Sequence, residues 1–198
     1  MKSINTEKLI LASKSPRRKE LLDQIGIEIE ISPSNINEAS VSIKNPEAHV
    51  QELSFLKAKN TSLLYPESWI LGADTIVVVQ EQILGKPQSK TDAIAMLNKL
   101  NNCEHSVYTA FCVMNHKKNS KVVKSIETKV YFKYLTNQEI LWYVGTGEPF
   151  DKAGAYGIQG IGAFLVKQIS GSYSNVVGLP VCEVVETLMS LNIIQFKD

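Results

Sequence analysis

The chain has 198 residues, of which 44% are apolar and 21% charged, and 21 Lys and Arg against 20 Asp and Glu leave a net charge of +1. These are the values of an ordinary globular protein and exclude a disordered, collagen-like or disulfide-stapled chain. The balanced charge also excludes bulk attraction to nucleic acid or an anionic membrane, so any anionic ligand must be held by local clusters.

In chain order, residues 8–12 read as a short buried strand. Ser15 and Pro16 then open a helix that ends at Gly26, with Leu21, Leu22 and Ile25 as its apolar face. Ile27, Ile29 and Ile31 alternate with Glu28 and Glu30, which predicts a half-buried strand. A polar loop over 32–44 contains Glu38. Asn45-Pro46-Glu47 starts a second helix, with Val50, Leu53 and Leu56 at helical spacing. Residues 70–79 read as a central strand covered on both faces, because Ile76-Val77-Val78-Val79 is β-branched without alternation. Gly85-Lys86-Pro87 is a turn, and Ser89 with Asp92 resembles a capping box for a helix carrying Ile94, Leu97 and Leu100. Residues 105–114 and 122–135 read as a long hairpin. Thr136 with Glu139 predicts another capping box, on a helix ending at Gly145. Residues 161–169 read as a strand, and Pro180 opens a last helix with Val181, Val184, Val185, Leu188 and Leu191 inward. Eight of the eleven glycines lie from Gly145 to Gly178, where the backbone needs unusual conformations or close approach to a ligand. The pattern predicts a mixed α/β sheet, bent around a cleft.

The apolar run over 9–12 is too short for a signal-peptide core, and 69–79 is far short of a membrane span, so a cytoplasmic protein is expected. Cys103, Cys112 and Cys182 form no CxxC or zinc-finger spacing and suit a reducing compartment as free thiols.

Four clusters carry potential chemistry. Ser13-Lys14-Ser15-Pro16-Arg17-Arg18 sets hydroxyls and guanidinium groups at a helix start, a seat for phosphates, although it lacks phosphate-loop glycines and also reads as a simple cap with solvated arginines. Gly72-Ala73-Asp74-Thr75 places a carboxylate in an apolar strand, where it is costly unless paired or bound to a metal. Glu38, Lys57 and Lys86 each read singly as surface charges and gain weight only if the fold gathers them around Asp74. The glycine-rich string over 147–160 includes Asp151 and Gln159, whose amide offers one donor side and one acceptor side.

Together these stretches resemble the Maf family of nucleoside triphosphate pyrophosphatases, in order and in register from Leu9 to about Val185. The resemblance rests on Leu11-Ala12-Ser13-Lys14-Ser15-Pro16-Arg17-Arg18, the Glu38 loop, Lys57-Ala58, Gly72-Ala73-Asp74-Thr75, Gly85-Lys86-Pro87, residues 151–160 and Val176-Val177-Gly178-Leu179-Pro180. It implies one domain over 1–198, a two-lobed mixed α/β sheet with flanking helices and a central cleft, similar to the inosine triphosphate pyrophosphatase (Ham1-like) fold. It implies cleavage of a nucleoside triphosphate between the α and β phosphates, with a divalent metal, magnesium or manganese. Asp74 matches the family's proton acceptor, and Glu38, Lys57 and Lys86 its other charged catalytic positions. Ser13, Arg17, Arg18, Thr75, Asp151 and Gln159 match substrate-binding positions, with Arg17, Thr75 and Gln159 tied to substrate choice. Glu38 and Asp74 are the expected metal ligands.

The string Gly154-Ala155-Tyr156-Gly157-Ile158-Gln159-Gly160 resembles the subfamily acting on dTTP and UTP rather than the one acting on 7-methyl-GTP. A Gln amide can meet adjacent donor and acceptor atoms of a uracil or thymine edge. Departures are few: Lys14 and Phe150 replace a small residue and a tryptophan, and Ser54 replaces an alanine on what reads as a partly exposed turn. The family often forms homodimers. The alternatives are a 7-methyl-GTP pyrophosphatase and a nucleotide-binding regulator of septum formation and cell division with little or no turnover, and Glu38, Lys57, Asp74 and Lys86 argue against pure sequestration. The balanced charge disfavours an RNA-binding domain.

Overall fold

The computed structural model describes residues 3–196. In chain order the elements are β1 (Ser3–Asn5), β2 (Leu9–Leu11), α1 (Pro16–Gln24), β3 (Glu30–Ile31), α2 (Pro46–Ser62), β4 (Trp69–Val79), β5 (Gln82–Leu84) and α3 (Lys90–Leu100). They continue as β6 (Glu104–Asn115), β7 (Ser120–Phe132), α4 (Asn137–Gly145), β8 (Val166–Ser170), α5 (Tyr173–Val177), α6 (Val181–Ser190) and β9 (Ile194–Phe196). Short 3-10 turns occupy Glu38–Ser40, Glu148–Asp151, Ala153–Ala155 and Gly160–Leu165.

Seven strands form one sheet in the order β3-β2-β4-β6-β7-β8, with β5 on β4, and β1 pairs with β9 apart from it. The sheet is mixed: β2 runs parallel to β3 and β4, while β5 on β4 and β8 on β7 are antiparallel. The expected mixed α/β sheet with flanking helices is therefore what the chain forms. Strand β4 is buried along nearly its whole length, as its β-branched run predicts. Its register on β2 sets Ile10 opposite Ile70 and Leu11 opposite Leu71. Residues just beyond Leu11 thus leave the sheet at the carboxyl end of β2, beside the stretch of β4 that continues past Leu71.

The helix starts follow from local chemistry. Asn45 accepts the Ala48 N–H at 2.9 Å, and Ser89 accepts the Asp92 N–H at 3.1 Å. The Asp92 carboxylate takes the Gln88 N–H at 2.9 Å, so it caps the residue before Ser89 and does not close a reciprocal box. Thr136 and Glu139 do close one. Ser15 makes no side-chain cap on α1, and its own N–H goes instead to the Ser13 hydroxyl at 3.2 Å.

Several expectations need correction. Only Glu30 and Ile31 of the isoleucine alternation pair as strand, and since Ile27 is buried but Ile31 exposed the alternation does not mark one buried face. Ile25 lies past the end of α1 and is exposed. Helix α4 runs through Gly145, and the left-handed residue after it is Gly147. Residues 160–165 form a 3-10 turn and the strand begins only at Val166. In α6 the inward residues are Val184, Thr187 and Leu188, with Val181, Val185 and Leu191 only half-buried. Ser54 is fully buried, with its hydroxyl satisfied by the Gln51 carbonyl at 2.8 Å.

The chain divides into two compact units, Met1–Asp74 with Thr109–Ile126 and Gly178–Asp198, and Thr75–Tyr108 with Glu127–Val177. Each has its own apolar core. In the first, Ile10, Ala12, Ala58, Ile70, Cys112 and Met114 pack together. In the second, Leu97, Leu100, Phe132, Tyr143 and Leu165 belong to one larger cluster. The three cysteines are free thiols. Among the described residues no helix is long and apolar enough to cross a membrane.

Candidate active site

In the first unit, Ser13 follows β2 and Asp74 lies within β4, three residues beyond the Leu11–Leu71 pairing. Gly72 allows α2 to approach β4 closely, since a Cβ there would sit 2.4 Å from the Ser54 carbonyl oxygen and 2.7 Å from the Ala58 nitrogen. That approach brings Lys57, the residue before Ala58, onto Asp74. The Lys57 ammonium donates to Asp74 Oδ1 at 2.6 Å and pairs with Glu38 Oε1 at 2.9 Å. Lys57 and Asp74 are about nine-tenths buried, while the Glu38 side chain is 55% exposed. Asn37 sets the Glu38 turn by accepting the Ala39 N–H at 3.2 Å.

Arg18 is the second buried cation. Its Nε donates to the Gly178 carbonyl at 2.8 Å and its guanidinium to the Ser13 hydroxyl at 3.1 Å. Burial is the main influence lowering its pKa, Asp74 and Glu38 oppose that, and Arg17 reinforces it. An arginine nonetheless keeps its charge at neutral pH. One unit therefore gathers Ser13, Arg17, Arg18, Glu38, Lys57 and Asp74.

The other expected residues belong to the second unit. Thr75 is half-buried, and Lys86 and Asp151 are exposed. The turn holding Lys86 is tied to the glycine-rich string, because the Gly85 carbonyl accepts the Gly154 N–H at 3.0 Å. Asp151 pairs with the Lys152 ammonium at 2.6 Å, which also donates to the Glu148 carbonyl at 2.7 Å. Gln159 is half-buried, with an extended backbone, and its side chain does not cap the turn that follows.

Two partners were not foreseen from the sequence. Gly178 supplies the buried acceptor for Arg18, and Glu148 organises the loop around Gln159. Both residues stand inside the glycine-rich third, which marks the region but not the bonds.

Among the described residues no group of three or more His, Cys, Asp or Glu is placed to hold a metal ion. The pair that shares the Lys57 ammonium nevertheless fits a hard divalent cation. Magnesium is commonly held by one or two carboxylates and completes its shell with substrate phosphates and water.

Residues 8–191 match the family model described as Maf-like protein. A dTTP/UTP pyrophosphatase of Syntrophus aciditrophicus is 47% identical over 97% of this chain and 94% of its own. The dTTP/UTP pyrophosphatase of Citrifermentans bemidjiense is 49% identical over 91% of this chain and 93% of its own, and that of a Geobacillus species 48% over 93% and 98%. Among solved structures, the Ham1 protein of Staphylococcus aureus superposes with a TM-score of 0.55 at 12% identity, covering 93% of this chain and 98% of that one. That likeness bears out the expected fold.

Proposed function

The chain belongs to the Maf-like family, and from that premise we propose that it hydrolyses dTTP and UTP to the monophosphate and pyrophosphate. The observation that carries this reading is the 47–49% identity, over at least 91% of the chain, to relatives named dTTP/UTP pyrophosphatases.

The first unit's charged cluster supports the chemistry. Attack of water at the α-phosphorus is opposed by the negative triphosphate, so catalysis requires alignment and charge neutralisation. Asp74 is the base that orients and deprotonates the water, held in place by the Lys57 ammonium at 2.6 Å. Arg17 and Arg18, with the Ser13 hydroxyl, take phosphate oxygens, and Lys57 and Lys86 offset charge as it builds on the leaving pyrophosphate. Glu38 and Asp74 would hold a magnesium or manganese ion, which when bound neutralises phosphate charge. Asp151 and Thr75 contribute to substrate binding, and Gln159 reads the imide edge of uracil or thymine through its amide.

The test is metal-dependent pyrophosphate release from a panel of UTP, dTTP, CTP, GTP, 7-methyl-GTP and modified pyrimidine triphosphates. UTP and dTTP should lead. Release led by 7-methyl-GTP would overturn the base assignment, and binding without release would overturn the hydrolase.

A further inference from the structure

Within the second unit, one carboxylate organises the segment that carries Gln159. Glu148 Oε1 accepts the Tyr143 hydroxyl at 3.0 Å and the Gly162 N–H at 2.9 Å, and Oε2 accepts the Ile161 N–H at 2.9 Å. The Tyr143 hydroxyl in turn accepts the Gly157 N–H at 3.3 Å. Burial and Glu148 both raise the Tyr143 pKa, so this hydroxyl stays protonated and keeps donating. The bonds thus fix the backbone on both sides of Gln159, at Gly157 before it and at Ile161 and Gly162 after it. The loop is also moulded to the carboxylate. A Cβ at Gly160, whose φ is +67°, would lie 2.9 Å from Glu148 Oε2, and one at Gly162 would lie 2.5 Å from the Tyr143 hydroxyl oxygen.

Glu148 bonds no part of Gln159 itself, whose amide is left available. Main chain held on both sides fixes where Gln159 is anchored, and so which atoms of a base edge its amide can reach, whereas a slack loop lets the amide shift to meet other edges. Charge-assisted bonds to main-chain N–H groups are about twice as strong as neutral ones, so a carboxylate suits this clamp. The geometry points to Glu148 as a positioning residue for base selection, which acts by fixing the loop that carries Gln159. This inference rests on the pyrimidine triphosphate reading given above.

The experiment compares kcat/KM for UTP and CTP in the wild type, Glu148→Gln, Gln159→Ala and the double variant, with folding checked by thermal melts. Glu148→Gln keeps the size but turns an acceptor oxygen into an NH2 group, which cannot accept a main-chain N–H. The UTP-over-CTP ratio should fall by about tenfold, as expected when a hydrogen-bonding readout loosens. The loss should sit mainly in KM for UTP. In the Gln159→Ala background, Glu148→Gln should change the ratio no further, because the two act through one amide.

A folded Glu148→Gln enzyme with the wild-type ratio overturns the inference, and so do additive effects in the double variant. If Gln159→Ala alone leaves the ratio unchanged, the base-reading assignment itself fails and the inference fails with it. Should Glu148→Gln not fold, Tyr143→Phe removes one donor from the same carboxylate. It should lower the ratio in the wild-type background and leave it unchanged beside Gln159→Ala, and an unaltered ratio in the wild-type background overturns the inference.

Discussion

Lys57 holds two carboxylates on one ammonium, one of them as buried as itself. Replacing Asp74 with Asn leaves that ammonium with Glu38 and removes the proposed base. Turnover should then fall by at least about 100-fold, the usual scale for losing general-base assistance, while the fold survives. A correctly folded Asp74→Asn protein with wild-type turnover would defeat the assignment. Replacing Lys57 with Met is the harsher change, because it strips a buried carboxylate of its bonded partner. It should cost about 3 kcal/mol in chemical denaturation, more than Asp74→Asn does. The cluster was only half legible in the sequence. Asp74 declared itself by its apolar neighbours, but Lys57 stands 17 residues away and reads alone as a surface lysine. Only the packing of a helix on a strand makes the two one group.

That packing depends on a glycine inside β4. At Gly72 an added methyl would press into the Ser54 carbonyl and the Ala58 backbone, neither of which can swing aside as a side-chain tip can. Gly72→Ala should therefore push α2 off the sheet and cost about 1–3 kcal/mol of stability. It should also lower kcat by a larger factor than its stability loss explains, since Lys57 rides on the displaced helix. Parallel measurement of melts and turnover separates the two effects. At this scale the capped helices and the long buried β4 could be read from local pattern, because caps and β-branched runs act within a few residues. The segment after Gln159 could not. Its apolar content predicts strand, yet the Ile161 and Gly162 N–H groups are claimed by a carboxylate 13 and 14 residues earlier, which bends the backbone into a 3-10 turn. The isoleucines after α1 mislead for the opposite reason: the period is right, but Ile31 lies exposed.

Over the whole molecule, stability should depend on pH through His105. Its ring is buried in the second unit, edge-on to Phe132 and Tyr156, with Nε2 2.7 Å from the Tyr156 hydroxyl. Burial lowers its pKa from 6.5 to about 4. The unfolded chain therefore binds this proton first as pH falls, so stability is full above about 6.5 and drains between there and about 4, by up to about 3 kcal/mol. Denaturant titrations across that window should show the decline, and His105→Gln should flatten it. A wild-type profile that is level from pH 7 to 4 would exclude the effect. The fold class was readable in the sequence because it follows from pattern and motif. The division of the chain into two discontinuous units was not, because it depends on which distant segments return to which core. The bond from Arg18 to the Gly178 carbonyl spans 160 residues and joins two segments of the first unit, with all of the second lying between them in sequence. On the ribosome, the nascent chain must deliver every residue of the second unit before Arg18 meets its acceptor. Vectorial synthesis thus completes the later-starting unit first, and the earlier one waits for its final segment to emerge.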